Sequence, residues 1–308
     1  MTFRLGLVPG FFIGGWQILY NGAMLSEEQT SLKRAVFVFI FFFFSVALFA
    51  RSFVSEAGLM VAFLDVGQGD AIYVSAGNGA DGLLDGGPDG GILKELSRVK
   101  DSFDRELGFI FISHPDTDHI GGLVDVLRAY NVGAVFVPGT ESDTAVMSAF
   151  LEAVRQEGAQ VFTVRRGQKI FLSRDVYLEI LFPDREASGL DTNTGSAVAR
   201  LVHGRNSFVL PGDAPVAVEE YLVYLGEESL RSNILKAGHH GSKTSSSEVF
   251  LRAVAPEYVI VSSGKDNKYG HPHAEVLDRI KTLGAEVLRT DEAGTVRFYS
   301  DALRIWRD

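Results

Sequence analysis

Hydrophobic and polar positions along the chain predict an α/β domain over residues 58–308. Short apolar runs bounded by glycine or polar clusters are typical of strands, and runs with apolar residues three and four apart are typical of helices. The predicted strands are 60–66, 71–75, 82–85, 109–113, 134–137, 176–182, 197–202, 207–210, 234–237, 258–262, 287–289 and 296–299. The predicted helices are 92–99, 120–130, 145–157, 214–225, 246–254 and 274–283. Strand-rich stretches followed by mixed stretches, twice over, indicate two sheets packed face to face with helices outside.

The first 55 residues have a different pattern, which predicts a membrane anchor. Residues 35–50 read AVFVFIFFFFSVALFA and contain a single polar residue. Because a spanning helix needs about 20 residues, we expect a transmembrane helix over roughly residues 35–54. Lys33 and Arg34 precede it, so the positive-inside rule places the α/β domain outside the cytoplasm. The pattern therefore predicts a single-pass protein of the cell membrane with an extracytoplasmic domain.

Two other interpretations of the apolar segment stay open. Four consecutive phenylalanines without a polar face disfavour a buried amphipathic helix. A cleaved signal peptide would fit translation from Met24, although Leu48 and Phe49 make a poor cleavage site. Both membrane interpretations export the same C-terminal domain.

Composition excludes several classes of functional site. The 308 residues include no cysteine, which excludes disulfide scaffolds, cysteine–zinc fingers, iron–sulfur clusters and cysteine nucleophiles. Any metal must therefore be bound by His, Asp and Glu. Acidic residues outnumber basic residues by 39 to 29, so the formal net charge is −10 and a broad basic surface for duplex DNA is not expected.

The densest group of potential metal ligands lies in residues 113–122, which read SHPDTDHIGG. This segment follows an apolar predicted strand and precedes a predicted helix, so two imidazoles and two carboxylates fall within six positions. Such a mixed set suits zinc, manganese or iron(II). The alternative is a solvated acidic loop with two incidental histidines. It is disfavoured because an HxDxDH pattern directly after a buried strand seldom arises by chance.

This motif and five others, in order, resemble the metallo-β-lactamase superfamily. The closer resemblance is to the C-terminal hydrolase domain of ComEC-type competence proteins. The other segments are FLDVGQGDA at 63–71, LDGG at 84–87, LPGD at 210–213, LKAGHHGS at 235–242 and YGHP at 269–272. The resemblance implies an αββα sandwich with a metal site at the edge of the sheets. The usual signature of the superfamily is HxHxDH, and Asp116 replaces its second histidine here.

The resemblance implies one or two divalent ions, zinc or manganese, and a set of ligands for them. The predicted metal ligands are His114, Asp116, Asp118, His119, Asp213 and His239. The first two would bind one ion with a third ligand that the sequence leaves unplaced. Asp118, His119 and His239 would bind the other ion, and Asp213 would bridge both. Where the superfamily has a middle histidine, this chain offers Asn193 or Asp191, so occupancy of the first site stays open.

Further residues in the motifs are predicted to act on the substrate or to orient the ligands. The predicted catalytic residues are Asp118, His240 and His271, of which a histidine would give a proton to the leaving alkoxide. The predicted substrate contacts are Ser242 and Asn193. The predicted acceptors for the other ring nitrogens of the ligating histidines are Asp65, Asp70 and Asp85. Two residues of this paragraph also have a purely structural interpretation. Asp85 could cap a turn, and Ser242 could cap a helix.

We therefore expect a membrane-anchored, metal-dependent hydrolase of phosphoester bonds. Two divalent ions about 3.5–4 Å apart can activate water and clamp a phosphate oxygen. The resemblance implies a nuclease or phosphodiesterase linked to DNA uptake, with single-stranded DNA as a candidate substrate and a DNA-uptake channel as a candidate partner. One alternative is a stand-alone phosphodiesterase for choline-phosphate or nucleotide substrates. Another is a non-catalytic accessory subunit of the channel, and β-lactam hydrolysis is disfavoured because the HHGS motif is foreign to those enzymes.

Overall fold

The structure, a computed structural model, describes residues 58–77 and 80–308. The strands are Leu59–Phe63 (β1), Ile72–Ser75 (β2), Asp81–Leu84 (β3), Glu106–Phe111 (β4), Asn131–Val137 (β5), Gln160–Thr163 (β6), Lys169–Phe171 (β7), Val176–Phe182 (β8), Val198–His203 (β9), Asn206–Leu210 (β10), Ile234–Lys236 (β11), Tyr258–Val261 (β12), Glu286–Arg289 (β13), Val296–Ser300 (β14) and Ile305–Arg307 (β15). The α-helices are Ile92–Leu96 (α1), Thr117–Ile120 (α2), Leu123–Ala129 (α3), Ala145–Glu157 (α4), Val216–Gly226 (α5), Glu248–Val254 (α6), Ala274–Thr282 (α7) and Thr290–Ala293 (α8). Two single 3₁₀ turns cover Glu227–Leu230 and Gly238–Gly241.

The predicted membrane anchor, with its helix over about residues 35–54, lies outside the described residues. Among the described residues, no helix combines the length and the apolar character needed to cross a bilayer.

The strands form two mixed sheets. The first has the order β15-β14-β1-β2-β3-β4-β5-β6, and the second has the order β13-β12-β11-β10-β9-β8-β7. Strands β3 to β6 are parallel to one another, and so are β10 to β13. The two predicted hairpins are present as the antiparallel pairs β1–β2 and β9–β10.

Three apolar clusters separate the layers. The first lies between the sheets and includes Phe63, Phe208 and Phe298, whose rings meet edge to face at centroid distances of 6.4 and 6.3 Å. The second cluster packs the outer face of the first sheet against α1 to α4, and the third packs the second sheet against α5 to α7. The prediction of an αββα sandwich is therefore confirmed for the described domain.

The strands that the hydropathy pattern did not predict lie at the edges of the sheets. Strands β6 and β15 flank the first sheet, and β7 flanks the second. All four side chains of β6 are exposed, and so are two of the three in β7 and in β15. A strand with no buried face has no alternation of apolar and polar residues, so its sequence lacks the usual signal.

The helix predicted over residues 120–130 begins later, as α3, and the separate short helix α2 precedes it. Gly121 and Gly122 stand between them, where a Cβ would lie 2.0 Å from the Pro88 carbonyl oxygen and 2.2 Å from the Gly86 carbonyl oxygen. The backbone can approach the loop after β3 only because both residues are glycines. This contact brings the motif loop close to the carboxyl end of β3.

The carboxyl ends of the parallel strands bring the sequence motifs to one edge of the sandwich. Asp85 follows β3 and His114 lies just after β4 in the first sheet. Asp213 lies just after β10, and the turn 238–241 lies just after β11 in the second sheet. Segments that are far apart in sequence therefore meet where the two sheets face each other.

Candidate metal centre

Backbone contacts hold the motif 113–122 against the loop between β1 and β2. The N–H of Asp70 donates to the carbonyl oxygen of Asp118 at 3.2 Å. Gly69 has φ +138°, and a Cβ there would lie only 2.1 Å from that same oxygen. The close approach therefore requires glycine at this position.

Four histidines aim the same ring nitrogen at the buried carboxylate of Asp213. The distances from Nε2 to a carboxylate oxygen of Asp213 are 3.4 Å for His119, 3.5 Å for His240, 3.6 Å for His239 and 3.9 Å for His114. Asp118 joins them, since its Oδ2 lies 3.3 Å from Nε2 of His240. Ligand atoms within 4.8 Å of one another form the groups His114–His119–Asp213 and Asp118–His119–His240.

Buried atoms without hydrogen-bond partners show that this cluster suits a divalent ion. Among the described residues, no hydrogen-bond partner is found for the following buried atoms: Nε2 of His114, Nε2 of His119, Nε2 of His240 and Oδ1 of Asp213. Each such atom costs about 1–3 kcal/mol when nothing satisfies it. Imidazole and carboxylate donors satisfy zinc and manganese alike, so the donor set fits a divalent cation without selecting one.

The opposite ring nitrogen of each of these histidines is held by a hydrogen bond. Nδ1 of His119 donates to Oδ2 of Asp85 at 2.8 Å, and Nδ1 of His240 donates to the carbonyl oxygen of Ser262 at 3.0 Å. Nδ1 of His114 lies 3.0 Å from the hydroxyl of Ser113, which donates to Asp85 at 2.6 Å. Nδ1 of His239 lies 2.9 Å from the hydroxyl of Thr244. These contacts fix the ring orientations that leave Nε2 facing Asp213.

Lys236 is a charged residue of the centre that the sequence analysis missed. Its side chain is 1% exposed, and its ammonium group contacts Asp70, lies 3.5 Å from Oδ1 of Asp213 and donates to the Gly212 carbonyl oxygen at 3.2 Å. Asp70 in turn lies 3.4 Å from Nδ1 of His240. The sequence does carry a signal for this residue, because Lys236 lies in the apolar strand β11. A charged side chain is buried in such a strand only when an opposite charge pairs with it.

Adjacent residues at the end of a strand, such as His239 and His240 after the strand predicted over residues 234–237, would point to opposite faces. The structure instead ends β11 at Lys236, and both histidines lie in the turn Gly238–Gly241 with φ of +47° and +56°. In this left-handed conformation both rings reach Asp213. His240 is 1% exposed and joins the ligand groups, whereas the His239 side chain is 27% exposed.

Glu219 of α5 holds the segment that follows the HHGS turn (residues 239–242). Its buried carboxylate accepts from the backbone N–H groups of Ser246 and Ser247 at 2.6 and 2.8 Å. Ser245 adds a hydrogen bond from its hydroxyl to the Ala214 carbonyl oxygen at 2.7 Å. The turn is therefore tied to the same segment that carries Asp213.

The charges of the cluster shift one another's pKa values. Burial alone would raise the pKa of Asp213, but His240, His119 and Lys236 hold it well below its usual range. Burial lowers the pKa of His240, and the carboxylates of Asp213 and Asp70 outweigh that effect and raise it to about 9. His240 is thus protonated at neutral pH in the metal-free chain, so a cation that binds its Nε2 must displace a proton.

Asp116 lies at the open side of the centre. Its side chain is 40% exposed, and Oδ2 is 3.6 Å from Nε2 of His114. The neighbouring imidazole of His114 lowers the pKa of Asp116, and Thr192 acts in the same direction. Asn193 follows Thr192 and has a buried Oδ1 without a partner among the described residues, whereas Asp191 caps its own turn through the Thr194 N–H. Among the described residues, the candidate ligand groups include none of residues 191–196.

The structure brings some of the other predicted residues near the centre and leaves others outside it. The His271 ring lies 5.6 Å from the His239 ring, and burial followed by the neighbouring imidazoles lowers the pKa of His271 to about 4. Ser242 is buried, and its hydroxyl accepts from Thr244 at 3.0 Å. The side chain of Asp65 accepts from the Gly67 N–H at 3.4 Å, within its own loop. The roles predicted for these residues stay predictions.

Replacing Asp85 with asparagine tests the support of the ligand rings. Asparagine tolerates the left-handed backbone of this residue (φ +56°), but its amide oxygen cannot replace both carboxylate oxygens that bind Ser113 and His119. We expect metal affinity to fall about 10- to 100-fold, measured by calorimetric titration with Zn²⁺ and Mn²⁺. The matched control is Asp89→Asn, an exposed residue four positions away. Equal affinities in the two variants would contradict this role.

Separate alanine variants of the adjacent histidines test which one binds metal. Because His240 is buried inside the ligand groups and His239 is more exposed, His240→Ala should weaken metal binding about tenfold more than His239→Ala. Metal content after dialysis, measured by mass spectrometry, provides the comparison. A larger loss of metal in His239→Ala than in His240→Ala would instead support His239, the ligand predicted from the sequence.

Comparisons with known proteins assign a family to this chain. The family profile described as the metallo-beta-lactamase superfamily matches residues 64–265. The chain is 29% identical over 255 residues to "ComE operon protein 3" of Bacillus subtilis (strain 168), covering 77% of this chain and 32% of that protein. It is 35% identical over 249 residues to "Competence protein ComA" of Neisseria gonorrhoeae, covering 80% of this chain and 33% of that protein. The chain thus spans about one third of the length of these relatives.

A solved structure with a similar fold is CmlA, a diiron β-hydroxylase from Streptomyces venezuelae. The TM-score is 0.50 with 14% identity, covering 82% of this chain and 54% of that one, so the likeness shows the fold alone. The family assignment depends on the profile match, which includes the HxDxDH motif and extends through the HHGS turn. With its αββα sandwich and its His/Asp cluster at the sheet edge, the chain belongs to the metallo-β-lactamase superfamily and is related to competence proteins.

Proposed function

We propose that this chain is a metal-dependent phosphodiesterase that cleaves the backbone of single-stranded DNA in connection with DNA uptake. The observation that carries the proposal is the set of unsatisfied, buried His and Asp atoms around Asp213. Its relationship to competence proteins supports the choice of DNA over other phosphoesters. Because the chain spans only about one third of those relatives, transport of DNA is not part of the proposal.

The cluster is closed on one side and open on the other. His114 and His119 are fully buried, whereas the side chains of Asp116, Asp118 and His239 are 40%, 34% and 27% exposed. A phosphodiester can therefore approach from the side of these three residues. A divalent ion held by the cluster would supply Lewis-acid polarisation of a phosphoryl oxygen.

The remaining chemistry falls to residues around the open side. Burial would raise the pKa of Asp118, but the nearby imidazoles of His240 and His119 lower it, so its carboxylate is an acceptor at neutral pH. His271 is neutral at pH 7 because its pKa is about 4. It is therefore suited to a hydrogen bond with substrate rather than to delivering an imidazolium proton.

We also propose that residues 1–55 anchor the chain in the cell membrane, with the hydrolase domain on the extracytoplasmic side. The support is the apolar run over residues 35–50 and the basic pair before it. Protease added to intact cells should digest the domain, and a matched sample with permeabilised cells shows the cleavage that full access allows. Protection of the domain in intact cells would contradict this topology.

Replacing Asp118 with alanine tests the proposed activity. The metal-loaded chain should hydrolyse bis-p-nitrophenyl phosphate and a single-stranded oligonucleotide, and Asp118→Ala should lower kcat/KM about 100-fold or more because ligand and acceptor are lost together. Asp125→Asn, a partly exposed residue on α3 that pairs with Arg128, is the control. Absence of activity on both substrates in the metal-loaded wild type would favour the non-catalytic accessory subunit. Activity on nucleotide or choline-phosphate esters alone would favour the small-molecule phosphodiesterase.

A further inference from the structure

The loop of residues 264–273 lies beside the open side of the metal centre and is held by internal hydrogen bonds. The Asn267 side chain organises it, because its amide donates to the carbonyl oxygens of Gly264 and His271 at 2.9 and 2.5 Å. Its Oδ1 accepts from the N–H groups of Tyr269 and His271 at 3.1 and 3.0 Å. The N–H of His273 donates to the Gly241 carbonyl oxygen at 3.0 Å, so the loop is fixed against the HHGS turn.

A row of rings leads from Asp213 along this loop to the surface. The His239 ring approaches Asp213 and lies 5.6 Å from the His271 ring. The His271 ring is stacked on Tyr269 at a centroid distance of 5.7 Å and an interplanar angle of 22°. The Tyr269 side chain is 51% exposed, so a large part of this aromatic residue is in contact with solvent two ring contacts away from Asp213 and its imidazoles.

One lysine contacts this exposed ring, and two more are exposed in the same loop and in the segment it packs against. Nζ of Lys268 lies 5.0 Å from the Tyr269 ring centroid. Lys265 of the same loop and Lys243, which follows the HHGS turn, are exposed, and the backbone N–H of Lys243 donates to Nδ1 of His273 at 3.3 Å. Among the described residues these three lysines form no ion pair, and Asp266 is the exposed carboxylate of the loop. The chain is acidic overall, yet the rim next to the centre carries unpaired positive charge.

From this arrangement we infer that the 264–273 loop is a subsite for single-stranded nucleic acid, in which one base stacks on Tyr269 while the lysines contact neighbouring phosphates. The inference rests on the proposed phosphodiesterase function and names the part of the substrate that the metal centre itself cannot recognise. Proteins that bind single strands without sequence preference combine aromatic stacking platforms with a positive groove. A small phosphoester without a base would use the metal centre but gain nothing from Tyr269.

The test is a comparison of Tyr269→Ala, Tyr269→Phe and Tyr224→Ala in the full chain. Tyr224 is 85% exposed on α5 and serves as the matched control for loss of a surface tyrosine. Binding of a fluorescein-labelled oligothymidylate to the metal-free chain, followed by fluorescence anisotropy, should weaken about 5- to 100-fold in Tyr269→Ala. Tyr269→Phe and Tyr224→Ala should bind as the wild type does, because phenylalanine keeps the stacking face.

Catalysis gives a second readout in the metal-loaded chain. The ratio of kcat/KM for the oligonucleotide to kcat/KM for bis-p-nitrophenyl phosphate should fall in Tyr269→Ala, mainly through KM, and Tyr269→Phe should restore it. The double variant Lys265→Ala/Lys268→Ala should reduce the slope of log Kd against log salt by about 1.4, the value for two phosphate contacts with a single strand.

The outcomes separate this subsite from the proposed function. Wild-type hydrolysis of both substrates with an unchanged ratio and unchanged oligonucleotide binding in Tyr269→Ala would overturn the subsite and leave the phosphodiesterase intact. Loss of oligonucleotide binding in Tyr269→Ala, in a wild type that hydrolyses neither substrate, would overturn the phosphodiesterase while supporting the subsite. Weaker binding in Tyr224→Ala of the same size would also overturn the subsite, since any exposed tyrosine would then serve.

Discussion

The buried carboxylate of Asp213 is the point on which the metal centre depends. It comes from the second sheet, yet two of the four imidazoles around it belong to the motif that follows β4 of the first sheet. Lys236 and the protonated His240 keep this carboxylate ionised in the metal-free chain, despite its burial. The contact therefore joins the two sheets at their edge and, at the same time, assembles a site that neither sheet could form alone.

The distribution of charge divides the site into two regions with different tasks. The inner region concentrates carboxylates and imidazoles, which suits cations. The outer region consists of the loop of residues 264–273 and the segment after the HHGS turn. It carries exposed lysines and the stacked pair of Tyr269 and His271. The formal charge of −10 therefore describes the chain as a whole. The exposed lysines beside the metal centre form a local positive surface that suits a polyanion.

The sequence predicted elements well where burial imposes a period and poorly where it does not. The helix Ala145–Glu157 and the strand Val176–Phe182 have the predicted bounds because each buries one face or most of its side chains. Strand β6 buries none, and it forms because β5 offers a free edge for pairing. The interruption between α2 and α3 could not be predicted from a local period either. Its two glycines contact a loop more than thirty residues earlier in the chain.

The amino-acid sequence by itself determined the chemistry of this protein: an absence of cysteine, an HxDxDH motif after a buried strand, and a series of motifs in the order of one superfamily. Local spacing is sufficient for such conclusions because ligand type and strand or helix period are properties of neighbouring residues. Only the tertiary structure decided that both His239 and His240 reach Asp213, that Lys236 is paired inside the centre, and that Tyr269 stands beside it. These facts depend on left-handed turns and on contacts between strands far apart in the chain, which no local pattern of residues encodes.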